Sequence, residues 1–135
     1  YLCIATSRLN ELGRTFIYGK DLAISVTNLG DSTKITGSTL KDSLIGGQSS
    51  DTLIGGAGND TLNGGNGDDS LTGGTGNDTI TGSSASDSIY GGAGADLLSG
   101  GNYGDTYLYY TNDVDSGEAI VESSSGTGTD TILVV

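Results

Sequence analysis

Glycine recurs every nine residues without a slip, at Gly37, Gly46, Gly55, Gly64, Gly73, Gly82, Gly91 and Gly100. A period of nine fits neither the 3.6-residue turn of a helix nor the register of a hairpin, but it closes if a six-residue turn is followed by a three-residue strand. The units read GSTLKDSLI, GGQSSDTLI, GGAGNDTLN, GGNGDDSLT, GGTGNDTIT, GSSASDSIY, GGAGADLLS and GGNYGDTYL. A repeat this short is a single supersecondary unit that buries its apolar face only by stacking on its neighbours. The expected class is therefore all-β, a solenoid rather than a globule.

Position six of every unit is aspartate: Asp42, Asp51, Asp60, Asp69, Asp78, Asp87, Asp96 and Asp105. Position eight is always large and apolar, as Leu44, Leu53, Leu62, Leu71, Ile80, Ile89, Leu98 and Tyr107. Glycine at positions one, two and four suits sharp bends, because it enters positive φ without a Cβ penalty. The position-eight side chain points inward and stacks on its equivalents, which makes a core one side chain wide. With 33% hydrophobic residues, one Phe and no Trp, the chain has little else to bury. Something besides apolar burial must hold it together.

The net charge of −12 makes cations the natural partners and excludes nucleic acid and anionic membrane surfaces, which carry the same sign. Membrane insertion by this segment is not expected, because no apolar run approaches a span, and no signal peptide opens the chain. Cys3 is alone, so it reads as a free thiol with neither a disulfide nor a thiolate metal site to join. Without histidine there is no Ser–His or Cys–His relay, so no enzyme is expected within this chain. A glycosidase-type pair among the remaining carboxylates is the catalytic alternative.

These units resemble the G-G-x-G-x-D-x-U-x nonapeptide of the RTX (repeats-in-toxin) family. The four starting at Gly55, Gly64, Gly73 and Gly91 meet every glycine and aspartate position. The resemblance implies a right-handed parallel β-roll, a two-sheet solenoid of nine-residue repeats in which turn n stacks on turn n+2 with Ca²⁺ between them. It also implies the ligands: the eight position-six aspartates, with the turn carbonyls of Gly47, Gly56, Gly58, Gly65, Gly67, Gly74, Gly76, Gly92, Gly94 and Gly101. Such oxygens suit Ca²⁺, which takes 6–8 of them, and disfavour zinc or copper. Three gaps on each edge would accommodate up to about six ions.

Electrostatics gives the cation a structural task. Stacked turns should lie about one strand spacing apart, so neighbouring carboxylates would repel by roughly 3 kcal/mol per pair at an effective dielectric near 20. Several such pairs exceed what a thin core offsets within a net stability of about 5–15 kcal/mol. Calcium binding and folding are therefore expected to be one event. Parity places turns 37, 55, 73 and 91 on one edge, with three complete units, and turns 46, 64, 82 and 100 on the other. Ser49, Tyr103 and the degenerate GSSASD weaken the second edge.

Four segments are expected: 1–18, the end of a preceding domain or an N-terminal cap with Arg8 and Arg14; 19–36, degenerate capping rungs; 37–108, the eight-repeat roll; and 109–135, an acidic β flank. In the rungs, Val26 and Ile35 take position eight while Ile24 and Thr33 replace the aspartate. Where the roll ends, Tyr103, Tyr107, Tyr109 and Tyr110 cover the last rung or stack on carbohydrate, and in the flank Gly126, Gly128, Asp130 and Ile132 resume a partial motif. The chain reads as a fragment of a larger protein with a covalent neighbour domain. By the resemblance, that parent is an extracellular toxin, protease, lipase or polysaccharide-modifying enzyme that leaves a bacterium by type I export. The alternative is a calcium-dependent adhesin or surface-layer protein with a cell-surface partner. Ice binding ranks below it, since position three carries no regular Thr/Asn array.

Overall fold

In the computed structural model, the described residues are 2–6, 15–17, 23–28, 30–111, 117–122 and 128–135, with side chains from residue 23 on, 26 and 28 excepted. The sequence readings of Cys3 as a free thiol, of Arg8 and Arg14, and of Gly126 lie outside the described residues and side chains. Fourteen strands are described: β1 (Leu2–Thr6), β2 (Thr15–Ile17), β3 (Ile24–Asn28), β4 (Lys34–Thr36), β5 (Ser43–Gly47), β6 (Thr52–Ala57), β7 (Thr61–Asn66), β8 (Ser70–Thr75), β9 (Thr79–Ser84), β10 (Ser88–Ala93), β11 (Leu97–Gly101), β12 (Thr106–Tyr109), β13 (Ala119–Ile120) and β14 (Thr131–Val134).

Odd strands form one seven-stranded sheet and even strands the other, each in sequential order. All pairings are parallel. Leu44 lies opposite Leu62, Leu62 opposite Ile80 and Ile80 opposite Leu98 in the first sheet. Leu53, Leu71, Ile89 and Tyr107 follow one another in the second. Each step is two nonapeptides, so the chain alternates between sheets and the n to n+2 stack of a parallel β-roll results. The core is the column of position-eight side chains, all at most 1% exposed, extended by Ile24 and Ile35.

The division of each unit differs from the expected six-residue turn and three-residue strand. Strands in the middle of the roll are six residues long and run from position seven into position three of the next unit, as in Thr61–Asn66. The ladder skips position one and resumes at position two, where Gly56 pairs with Gly74 and Ala57 with Thr75. Positive φ at position two, 112° at Gly56 and 121° at Gly74, bends the strand without ending its pairing. Less of each unit is loop than the glycine content implies.

The flanks continue both sheets with longer connections. Leu2 pairs with Ile24, Thr15 with Lys34, Leu97 with Ala119 and Thr106 with Thr131, so spacings of 22, 19, 22 and 25 residues replace the 18 of the repeats. Val26 falls opposite Leu44 and Ile35 opposite Leu53. The strands on either side of the eight units are therefore rungs of the same roll.

Candidate metal centre

A strand-to-strand spacing of about 4.8 Å brings equivalent turn residues on one edge into register. Position six follows directly from this. Along each edge the backbone N–H of one aspartate donates to Oδ1 of the aspartate one rung on: Asp42 to Asp60 at 2.8 Å, Asp60 to Asp78 at 2.7 Å and Asp78 to Asp96 at 2.7 Å on one edge. On the other edge, Asp51 donates to Asp69 at 2.7 Å, Asp69 to Asp87 at 2.8 Å and Asp87 to Asp105 at 2.8 Å. Ile24 and Thr33 fill the same place at the start of the ladder, their N–H groups donating to Oδ1 of Asp42 and Asp51 at 2.6 and 2.7 Å. All eight carboxylates are buried, at 1–3% exposure.

One oxygen of each carboxylate is thus held by backbone, and the other decides what the site wants. Oδ2 of Asp60, Asp69, Asp78, Asp87 and Asp105 is buried and accepts no hydrogen bond. A charged oxygen withdrawn from water without a partner is costly, and nature pairs such atoms with donors or metals. The surroundings offer more acceptors. A Cβ built on Gly55 would collide with both Asp60 Oδ2 and the Gly73 carbonyl oxygen, and one on Gly73 with Asp78 Oδ2 and the Gly91 carbonyl oxygen. On the other edge the same test at Gly82 meets Asp87 Oδ2 and the Gly100 carbonyl oxygen. Position one must therefore be glycine, because acceptor oxygens of two successive turns crowd its Cα.

The carbonyls named from sequence sit on the same turns. Those of Gly47, Gly56, Gly58, Gly74 and Gly76 approach the Cα of the equivalent glycine one rung on, so they point along the stack. Gly65, Gly67, Gly92, Gly94 and Gly101 share the positive-φ conformation of these residues. The position-one carbonyls were not among the oxygens expected from sequence, since a regular spacing reveals a bend and not the direction of its C=O. Oxygens converging without donors fit a hard cation of Ca²⁺ type.

Asp42 departs from the pattern. Ser38, at position two of the first unit, donates its N–H to Asp42 Oδ2 at 2.5 Å and its hydroxyl to the same oxygen at 2.9 Å. The first turn thus supplies its own donors where the turns of Asp60, Asp69, Asp78, Asp87 and Asp105 leave an oxygen bare. Three other departures keep the glycine conformation at a cost: Ser83, Ala85 and Tyr103 hold φ of 90°, 81° and 76°. The left-handed region costs a residue with a Cβ about 1–2 kcal/mol. Ala85→Gly is therefore expected to stabilise the folded roll by about 1 kcal/mol, read as a higher thermal midpoint.

The electrostatics match the geometry. Burial first, and neighbouring aspartate charges after it, push Asp60 and Asp69 up to about 6 and Asp78 and Asp87 up to about 7. Asp105 is also raised, by burial and then by Asp130 and Glu122. Carboxylates this reluctant to ionise together call for a positive charge.

A family model of the RTX calcium-binding nonapeptide repeat, comprising four copies of the unit, matches residues 36–71 and again 72–106, together more than half of the chain. The chain belongs to the RTX calcium-binding repeat family. The RTX repeat is a structural calcium-binding module rather than a catalytic one, and the family is typically associated with secreted proteins. A search of curated proteins found no match. The matched RTX segments contain all eight position-six aspartates. Glu122 and Asp130 lie beyond them.

Proposed function

We propose that this chain is a module whose folding is driven by Ca²⁺, with up to about six ions lying between same-edge turns. The eight position-six aspartates and the position-one, -two and -four carbonyls serve as ligands. The observation that carries this reading is the column of buried Oδ2 atoms with no hydrogen-bond partner, at Asp60, Asp69, Asp78, Asp87 and Asp105. Among the described residues, none donates a hydrogen bond to these oxygens. The module serves secretion and stability of a larger extracellular protein to which it is covalently joined, staying unfolded where calcium is scarce and folding outside the cell. Type I export fits a segment that must cross a membrane before it folds.

Calcium titration by calorimetry tests the reading. Several equivalents should bind cooperatively, with a midpoint of about 10⁻⁴–10⁻³ M, because each site offers few carboxylates and must also order the chain. Independent nanomolar sites, or a preference for Zn²⁺, would contradict it.

A further inference from the structure

Two exceptions to the repeat coincide at the C-terminal end of the roll. Position eight, aliphatic in the seven preceding units, is Tyr107 in the last. Position one, glycine throughout the eight units, is taken by Glu122 in the turn that follows β13, since Leu98 pairs with Ile120 and Glu122 stands two residues beyond it as Gly100 stands beyond Leu98. The two side chains meet. Tyr107 is buried and its hydroxyl donates to Glu122 Oε1 while accepting the Gly100 N–H at 2.5 Å.

The held glutamate joins two aspartates. Asp130 continues the ladder of its edge, its Oδ1 accepting the Asp105 N–H at 2.9 Å. Carboxylate oxygens of Asp105, Glu122 and Asp130 lie within 4.8 Å of one another. Acidic clusters on a surface are common, but this one has a buried member. Asp105 is 1% exposed, and its Oδ2 has no hydrogen-bond partner. Three carboxylates, one of them desolvated and one fixed by a buried tyrosine, converge, and among the described residues no donor is aimed at the desolvated oxygen.

We propose that Asp105, Glu122 and Asp130 form a divalent-cation site of calcium type that closes the second edge outside the nonapeptides, with Tyr107 as its positioning residue. Where the repeats surround an ion mostly with backbone carbonyls, this site supplies three carboxylates, and Glu122 stands in for the glycine whose small size the repeats require. Carboxylate oxygens select a hard cation, and a higher ligand charge makes the site fill at lower calcium than its neighbours. Two of its three ligands lie beyond the family match. The proposal rests on the roll binding calcium at all.

Calorimetric titration of the full chain with Ca²⁺, comparing wild type with Glu122→Gln and Asp130→Asn, tests it. Each variant is expected to lose one equivalent, the tightest, while the remaining equivalents and the calcium-saturated circular dichroism spectrum stay as in wild type. Tb³⁺ provides a second readout, because Tyr107 beside the site should sensitise its emission. That emission should fall at least severalfold in Glu122→Gln and return in part in Glu122→Asp. If Asp130→Asn does not fold, Glu122→Gln decides, its side chain being exposed. An unchanged stoichiometry with unchanged terbium emission would overturn the terminal site alone. A wild-type chain that binds no calcium would overturn this site and the proposed function together.

Discussion

Chelation of calcium at neutral pH is expected to replace the β-sheet circular dichroism spectrum of this chain with that of a largely disordered one. The core that would have to resist is a single column of ten buried apolar side chains, Ile24 to Tyr107. Against it stand eight buried aspartates in register. Their backbone-held Oδ1 atoms supply some compensation, since a hydrogen bond to a charged group contributes roughly 1.5–3 kcal/mol. The Oδ2 atoms of Asp60, Asp69, Asp78, Asp87 and Asp105 receive none. Repulsion of about 3 kcal/mol between adjacent rungs is of the same order as each of those hydrogen bonds, and it recurs along both edges. The cation tips the balance, so its removal unfolds the chain.

Acid should partly substitute for the metal. In the calcium-free roll Asp60 and Asp69 titrate at about 6 and Asp78 and Asp87 at about 7, against 3.8 for the ordinary carboxyl. Between about pH 4 and 7 the folded chain therefore holds more protons than the unfolded one, and folded-state stability rises as pH falls through that window. Calcium-free samples compared at pH 7.5 and pH 5 should regain β signal at the lower value. Protons and calcium then compete for the same oxygens, so the calcium midpoint should rise on acidification. A spectrum that is fully β at pH 7.5 without calcium, or one that loses β signal on acidification in its absence, would show that carboxylate charge does not control folding.

Periodic features were legible because the stack repeats them. Asp60 or Leu62 could be assigned from spacing alone, since any residue nine positions from its equivalent must meet the same environment. The parallel β-roll was implied by the resemblance to the RTX nonapeptide, and the two parallel sheets bear it out. What escaped was set by single positions. Ser38 looks like a defective glycine in sequence, yet it caps Asp42 with its own N–H and hydroxyl. The pairing of Gly56 with Gly74 could not be anticipated, because glycine-rich stretches are ordinarily poor strand formers and only the facing glycine one rung away makes this pairing feasible. The partnership of Tyr107 with Glu122 depends on a 22-residue spacing between Leu98 and Ile120 that breaks the period. Where the spacing changes, the sequence ceases to say which residues stack.

The same comparison of turns predicts unequal effects for two chemically identical substitutions. Asp78→Ala is expected to raise the calcium midpoint of folding roughly tenfold or more, and Asp87→Ala by distinctly less. Both aspartates are 2% exposed, both hold the N–H of the preceding rung and both carry an unpartnered Oδ2. Their immediate contacts do not separate them. The turns do: Asp78 closes GGTGND, in which Gly74 and Gly76 take φ of 121° and 122° at no steric cost, and its neighbours on the edge have Gly56, Gly58, Gly92 and Gly94 in the same places. Asp87 closes a turn in which Ser83 and Ala85 are forced to 90° and 81°, and the next turn on that edge carries Tyr103 at 76°. Conformational strain of about 1–2 kcal/mol per residue is drawn from the free energy of ion binding between the nonapeptide turns of that edge, so those repeat sites hold their ions less tightly from the outset. Deleting Asp78 leaves the carbonyls and carboxylate of two well-formed sites without a full set of ligands, a loss of about 1.5–3 kcal/mol for a charge-assisted contact and a factor of roughly ten or more in the midpoint. Deleting Asp87 forfeits a weaker site. Circular dichroism titrations of the two variants decide between edges: an equal or larger shift for Asp87→Ala would mean that strain at Ser83 and Ala85 does not govern affinity, whereas restoring glycine at both positions should raise the cost of Asp87→Ala toward that of Asp78→Ala.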